Sequence, residues 1–128
     1  MRFKDSWLPN EFKRAHPHVK AIALYLDQHC VETFAKDLMV TDVERSQAEY
    51  DVVYKTLAYS GPKPHLADEA KGIVSHAVDF RTMGELTDAQ VQALVAHMNA
   101  GWPRADGKTT ALFHNVGQGS HLHLQAEI

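Results

Sequence analysis

The tightest constraint on this chain is an alternation near its end, His121-Leu122-His123-Leu124-Gln125. Apolar and polar residues trade places with period two, the mark of a strand with one face buried. Leu122, Leu124 and Ala126 take one face; His121, His123 and Gln125 take the other. A second run, His76-Ala77-Val78-Asp79-Phe80-Arg81, has the same property. Val78 and Phe80 point one way, while Ala77, Asp79 and Arg81 point the other. If both strands lie in one sheet with their apolar sides on a common core, Asp79 meets the two histidines on the opposite side.

A carboxylate beside imidazoles is a set of donors that suits zinc. The same residues also admit a structural reading, with Asp79 paired to Arg81 or Arg45 and the histidines on a solvated strand edge. His76 shares the face of Val78 and Phe80, so it reaches Asp79 only if the strand bends there.

The rest of the chain supplies a setting for these strands. Residues 1–10 read as an irregular lead-in. His16-Pro17 opens a helix, because proline at the first helical position forfeits no hydrogen bond. Val19, Ile22, Ala23, Leu26, Cys30 and Phe34 then follow at helical spacing, to an end near Lys36. Leu38 to Val43 reads as a buried strand delivering Arg45 and Ser46 at its end, and Gln47 to Ala58 as a short amphipathic helix carrying Tyr50, Val53, Tyr54 and Leu57. The stretch from Tyr59 to Gly72 has no period. A loop of about 14 residues in so small a domain is more often functional than idle, and this one contains His65. Thr87-Asp88-Ala89-Gln90 is a capping box ahead of a helix with Val91, Leu94, Val95 and Met98 on its buried stripe, stopped by Gly101. Thr110 to Val116 and the final strand form a hairpin through Gly117-Gln118-Gly119-Ser120. His114 on the first of these strands reads as a partly buried structural residue. The order predicts an α+β fold, with helices packed on one face of a small, mostly antiparallel sheet and the other face left for chemistry.

Composition narrows the partners. With 128 residues, 45% of them hydrophobic, the chain suits one domain, 1–128, with a single core. A formal charge of -3 without a basic block argues against nucleic acid. No apolar run approaches the ~20 residues that span a bilayer and no signal peptide is evident, so the expectation is synthesis in the cytoplasm without membrane association. The lone Cys30, on an apolar helical stripe, reads as a buried structural thiol. Of nine histidines, His16, His18, His29 and His97 fall in or beside helices and read as surface or packing residues.

Three segments together resemble the M15-type zinc D,D-peptidases of peptidoglycan, the carboxypeptidases and endolysins that share the hedgehog fold, and in particular their small phage-encoded members. Val40-Thr41-Asp42-Val43-Glu44-Arg45-Ser46 is similar to the family's strand ending in an arginine. Ala77-Val78-Asp79-Phe80-Arg81 is similar to its Ala-x-Asp strand, and His121-Leu122-His123 to its closing His-x-His. The likeness runs from about residue 20 to the C-terminus in the family's order. It implies Zn2+ held by Asp79 and His123, a catalytic His121 that activates water or stabilises the transition state, and Arg45 on a substrate carboxylate or carbonyl oxygen, with Tyr54 as a further substrate contact. The family's first histidine ligand stands seven residues before the aspartate, where this chain has Gly72. His65, displaced by an insertion that a flexible loop tolerates, is the first substitute, and His76 the alternate.

The resemblance therefore implies a zinc peptidase cutting peptidoglycan peptides, with D-Ala-D-Ala as the substrate type, acting in cell wall degradation by a phage, whether mounted on virion or tail components or released by lysis. The alternative is a non-catalytic phage structural or cell-wall-binding protein that retains the fold. A histidine-based pH or metal sensor is a third reading, supported by the histidine count alone.

Overall fold

A computed structural model of the chain describes residues 1–44, 65–67, 72–115 and 120–126, with the backbone alone at 114 and 115. The described residues form a mixed α+β fold built on a five-stranded, mostly antiparallel sheet and three helices. In chain order these are β1 (Arg2–Phe3), α1 (Leu8–Lys13), α2 (Pro17–Phe34), β2 (Met39–Asp42), β3 (Ala77–Arg81), α3 (Asp88–Gly101), β4 (Ala111–Asn115) and β5 (Ser120–Gln125). The sheet order is β1-β2-β3-β5-β4; β1 and β2 run parallel, and every other pair is antiparallel.

The lead-in is not irregular as the sequence suggested. Arg2 and Phe3 add a parallel edge strand to Met39 and Val40, tied by Arg2 to Asp37 and Glu85 at 3.0 Å each. α1 follows at once and buries Leu8 and Phe12. Both elements are too short to show a period of their own.

α2 opens at Pro17 and closes at Ala35, whose left-handed backbone (φ 57°) returns its N–H to Val31 O. α3 carries the complete capping box: Thr87 Oγ1 accepts from Gln90 N and Gln90 Oε1 accepts from Thr87 N. Gly101 belongs to this helix, and the cap is Trp102. The expected helix at 47–58 and the turn at 117–119 lie outside the described residues.

The core forms where α1, α2 and α3 cover one sheet face, through Leu8, Ile22, Leu26, Leu94, Phe80 and Leu122 among others. Each such side chain contributes about 1.5–3 kcal/mol by leaving water. This burial fixes which way β3 and β5 present their alternate residues. Because Val78, Phe80, Leu122 and Leu124 face the core, Asp79, His121 and His123 must face the other side. Cys30 is fully buried on α2. Among the described residues, no helix is long and apolar enough to cross a membrane.

Candidate metal centre

β3 and β5 are adjacent, and their register sets Asp79 directly opposite His123 and Arg81 opposite His121. On the third strand, β2, Val40 pairs with Phe80 but Asp42 pairs with Asp79, so the ladder slips by one residue at Thr41. Such bulges bend a strand and re-aim its end. Thr41 Oγ1 donates to Asp79 O at 3.4 Å, and the carbonyl of Val43, just past β2, is brought to the site.

Around Asp79 the distances are short. His123 Nδ1 stands 2.8 Å and His65 Nε2 3.2 Å from Asp79 Oδ1, while His121 Nε2 stands 3.4 Å from Oδ2. His65, Asp79 and His123 are 2%, 3% and 5% exposed. Asp79 and His123 thus lie on the sheet face away from the helices and are buried there.

The outer nitrogens of the two innermost imidazoles decide what the inner ones can do. His65 Nδ1 stands 2.7 Å from Val43 O. A carbonyl only accepts, so the proton is on Nδ1 and Nε2 keeps its lone pair for Asp79. His123 Nε2 stands 3.1 Å from Gln125 Oε1, and Gln125 Nε2 donates to Thr109 O at 2.8 Å. That second bond orients the amide with its oxygen towards His123. Nε2 is then the protonated nitrogen of His123, and the lone pair of Nδ1 also points at Asp79.

Two nitrogen lone pairs and a carboxylate oxygen converging in a buried site repel one another unless something positive lies between them. An added proton on an imidazole meets that need, and so does a metal ion. The three donor atoms lie within 4.8 Å of one another, and among the described residues theirs is the group able to hold a metal. Two ligands about 2.0–2.1 Å from a tetrahedral ion stand about 3.3 Å apart, close to the spacings here. Each histidine also has the outward hydrogen bond that metal-bound imidazoles almost always make.

Burial pushes the Asp79 carboxyl up, but once an added proton sits on the facing imidazoles the charge of His65 and the hydrogen bond from His123 outweigh it and hold the group well below the usual carboxylate range. Asp79 is thus a carboxylate at neutral pH, the form a metal ligand requires.

The remaining sequence candidates divide clearly. His76, the alternate ligand, is buried with its ring centroid 5.1 Å from that of His16, and is not one of the three residues grouped at Asp79. Asp79 is engaged by histidines, not by Arg81. Arg45 and Tyr54 lie outside the described residues, as does the side chain of His114, whose backbone pairs with His121. The sequence reading passed over the carbonyls of Val43 and Thr109 and the orienting role of Gln125. Gln125 was visible as the next residue on the face of His123; the carbonyls left no trace in residue type. No protein-family model, curated protein or solved structure matches the chain.

Proposed function

We propose that this chain is a zinc-dependent peptidase of the M15 type, with a hedgehog-like fold, acting on peptidoglycan peptides. The single observation that carries this is the convergence of His65 Nε2, Asp79 Oδ1 and His123 Nδ1 in one buried site. Two imidazoles and one carboxylate leave a coordination position for water, the arrangement of catalytic rather than structural zinc sites.

His65, Asp79 and His123 would hold the zinc, which when bound would supply a water of lowered pKa and a Lewis acid for the scissile carbonyl. The chain's own groups do the rest. Val43 O and Gln125 Oε1 hold the two ligand imidazoles in the tautomers that present lone pairs inward. His121, with 12% of its side chain exposed, is more accessible than the three ligands. From that position its Nε2 exchanges a proton with the reacting water or the departing amine. Burial of the ligands strengthens every electrostatic contact made there.

The hydrolysis of D-Ala-D-Ala-containing peptidoglycan fragments tests this function. Cleavage should appear with zinc, vanish on chelation and return when zinc is restored, and His121→Ala should bind zinc yet cleave at least about 100-fold more slowly. Stoichiometric zinc without cleavage by the wild type would instead favour the non-catalytic cell-wall-binding or virion protein.

A further inference from the structure

On the proposed peptidase function we build one more assignment: we propose that Arg81 is the residue that recognises a free carboxylate at the C-terminal end of the substrate, making the site selective for removal of a terminal residue. Arg81 ends β3 on the same face as Asp79, and its cross-strand neighbour is His121. It is half-buried. Among the described residues, none forms an ion pair or accepts a hydrogen bond from its guanidinium, whereas Arg2 and Arg104 both sit on carboxylates. Asp79, two residues away, is occupied by histidines instead.

Spacing supports the assignment. Residues i and i+2 of a strand are about 6.7 Å apart, so the guanidinium begins one strand step beyond the metal-binding carboxylate. In a peptide, the carboxyl carbon of the last residue lies three bonds past the scissile carbonyl carbon, at most about 3.7 Å away. A terminal carboxylate displaced from the site along β3 therefore comes within reach of Arg81, whose planar fork of donors matches it with two parallel hydrogen bonds. On the other flank, Leu112 pairs with His123 and is 36% exposed, an apolar surface suited to a small side chain such as a methyl group.

The test compares N-acetyl-D-alanyl-D-alanine with its C-terminal amide, using zinc-loaded wild type, Arg81→Gln and Arg81→Lys. Binding is read by calorimetry and turnover separately. The wild type should prefer the acid by about tenfold to a hundredfold, the range of one charge-assisted contact. Arg81→Gln should bring the ratio close to one and Arg81→Lys should restore part of it, with zinc stoichiometry unchanged in both. An undiminished acid preference in Arg81→Gln, or a wild type that does not favour the acid or binds neither compound, overturns the assignment. Binding of the acid without turnover would sink the peptidase function while leaving Arg81 as the carboxylate contact.

Discussion

His123 Nδ1 lies 2.8 Å from Asp79 Oδ1, a contact between residues 44 positions apart that the β3–β5 ladder places directly opposite one another. Core burial on one side of the sheet enforces this pairing, because the rungs on either side, Val78 with Leu124 and Phe80 with Leu122, turn their side chains to the opposite, buried face.

Gln125 orients His123 without touching the inner donor atoms. Gln125→Met keeps the length of the side chain but removes the amide oxygen that accepts from Nε2–H. Zinc should still bind at one ion per chain, with affinity lowered about tenfold to a hundredfold. Competition against a chelator of known strength measures this, and an unaltered affinity would show that the Gln125 contact does not position the ligand.

Leu122→Ala removes a fully buried side chain from the strand between His121 and His123. Stability should fall by roughly 2–5 kcal/mol, read from denaturant unfolding with chelator present. Zinc affinity should fall as well, because the same strand aims the ligand. Thr87→Ala, which breaks only the α3 capping box, should cost about 1 kcal/mol and leave zinc affinity unchanged.

The alternation of the two histidine-bearing and aspartate-bearing runs made the central pairing legible in advance, since period two leaves a strand with one buried face few options. The capping box at Thr87 and the proline at position 17 were equally direct. His65 was harder: it lies in an aperiodic stretch, and only the need for a further donor singled it out. β1 and α1 were missed because two and six residues are too few for a hydrophobic period to emerge, and tertiary contacts decide their conformation. Carbonyl contributions such as Val43 O are invisible to side-chain patterns, being properties of where the backbone ends up.

Away from the site, His29 and His97 stack at 3.7 Å between centroids with planes 4° apart, and the Tyr25 hydroxyl stands 2.8 Å from His97 Nε2. Burial first, then the charge of His97, lower the pKa of His29 below the ordinary value of 6.5, against a smaller opposing pull from Glu32. A histidine depressed in the folded state is protonated more readily in the unfolded chain. Its stabilisation is thus present above the unfolded pKa and is lost as pH falls from about 6.5 through the lower folded value. Melting temperature measured in chelator should decline over that window. His97→Gln, which removes the facing charge, should soften the decline; superimposable pH profiles would contradict this coupling of α2 to α3.

Zinc titration of the purified chain, with metal content measured after dialysis, tests the buried centre most directly. One zinc should be retained by the wild type and by His76→Ala, while Asp79→Asn and His65→Ala, folded by circular dichroism, should fail to retain it. A wild type that holds no zinc, or a pattern in which His76→Ala loses the ion and His65→Ala keeps it, would contradict the site built from His65, Asp79 and His123.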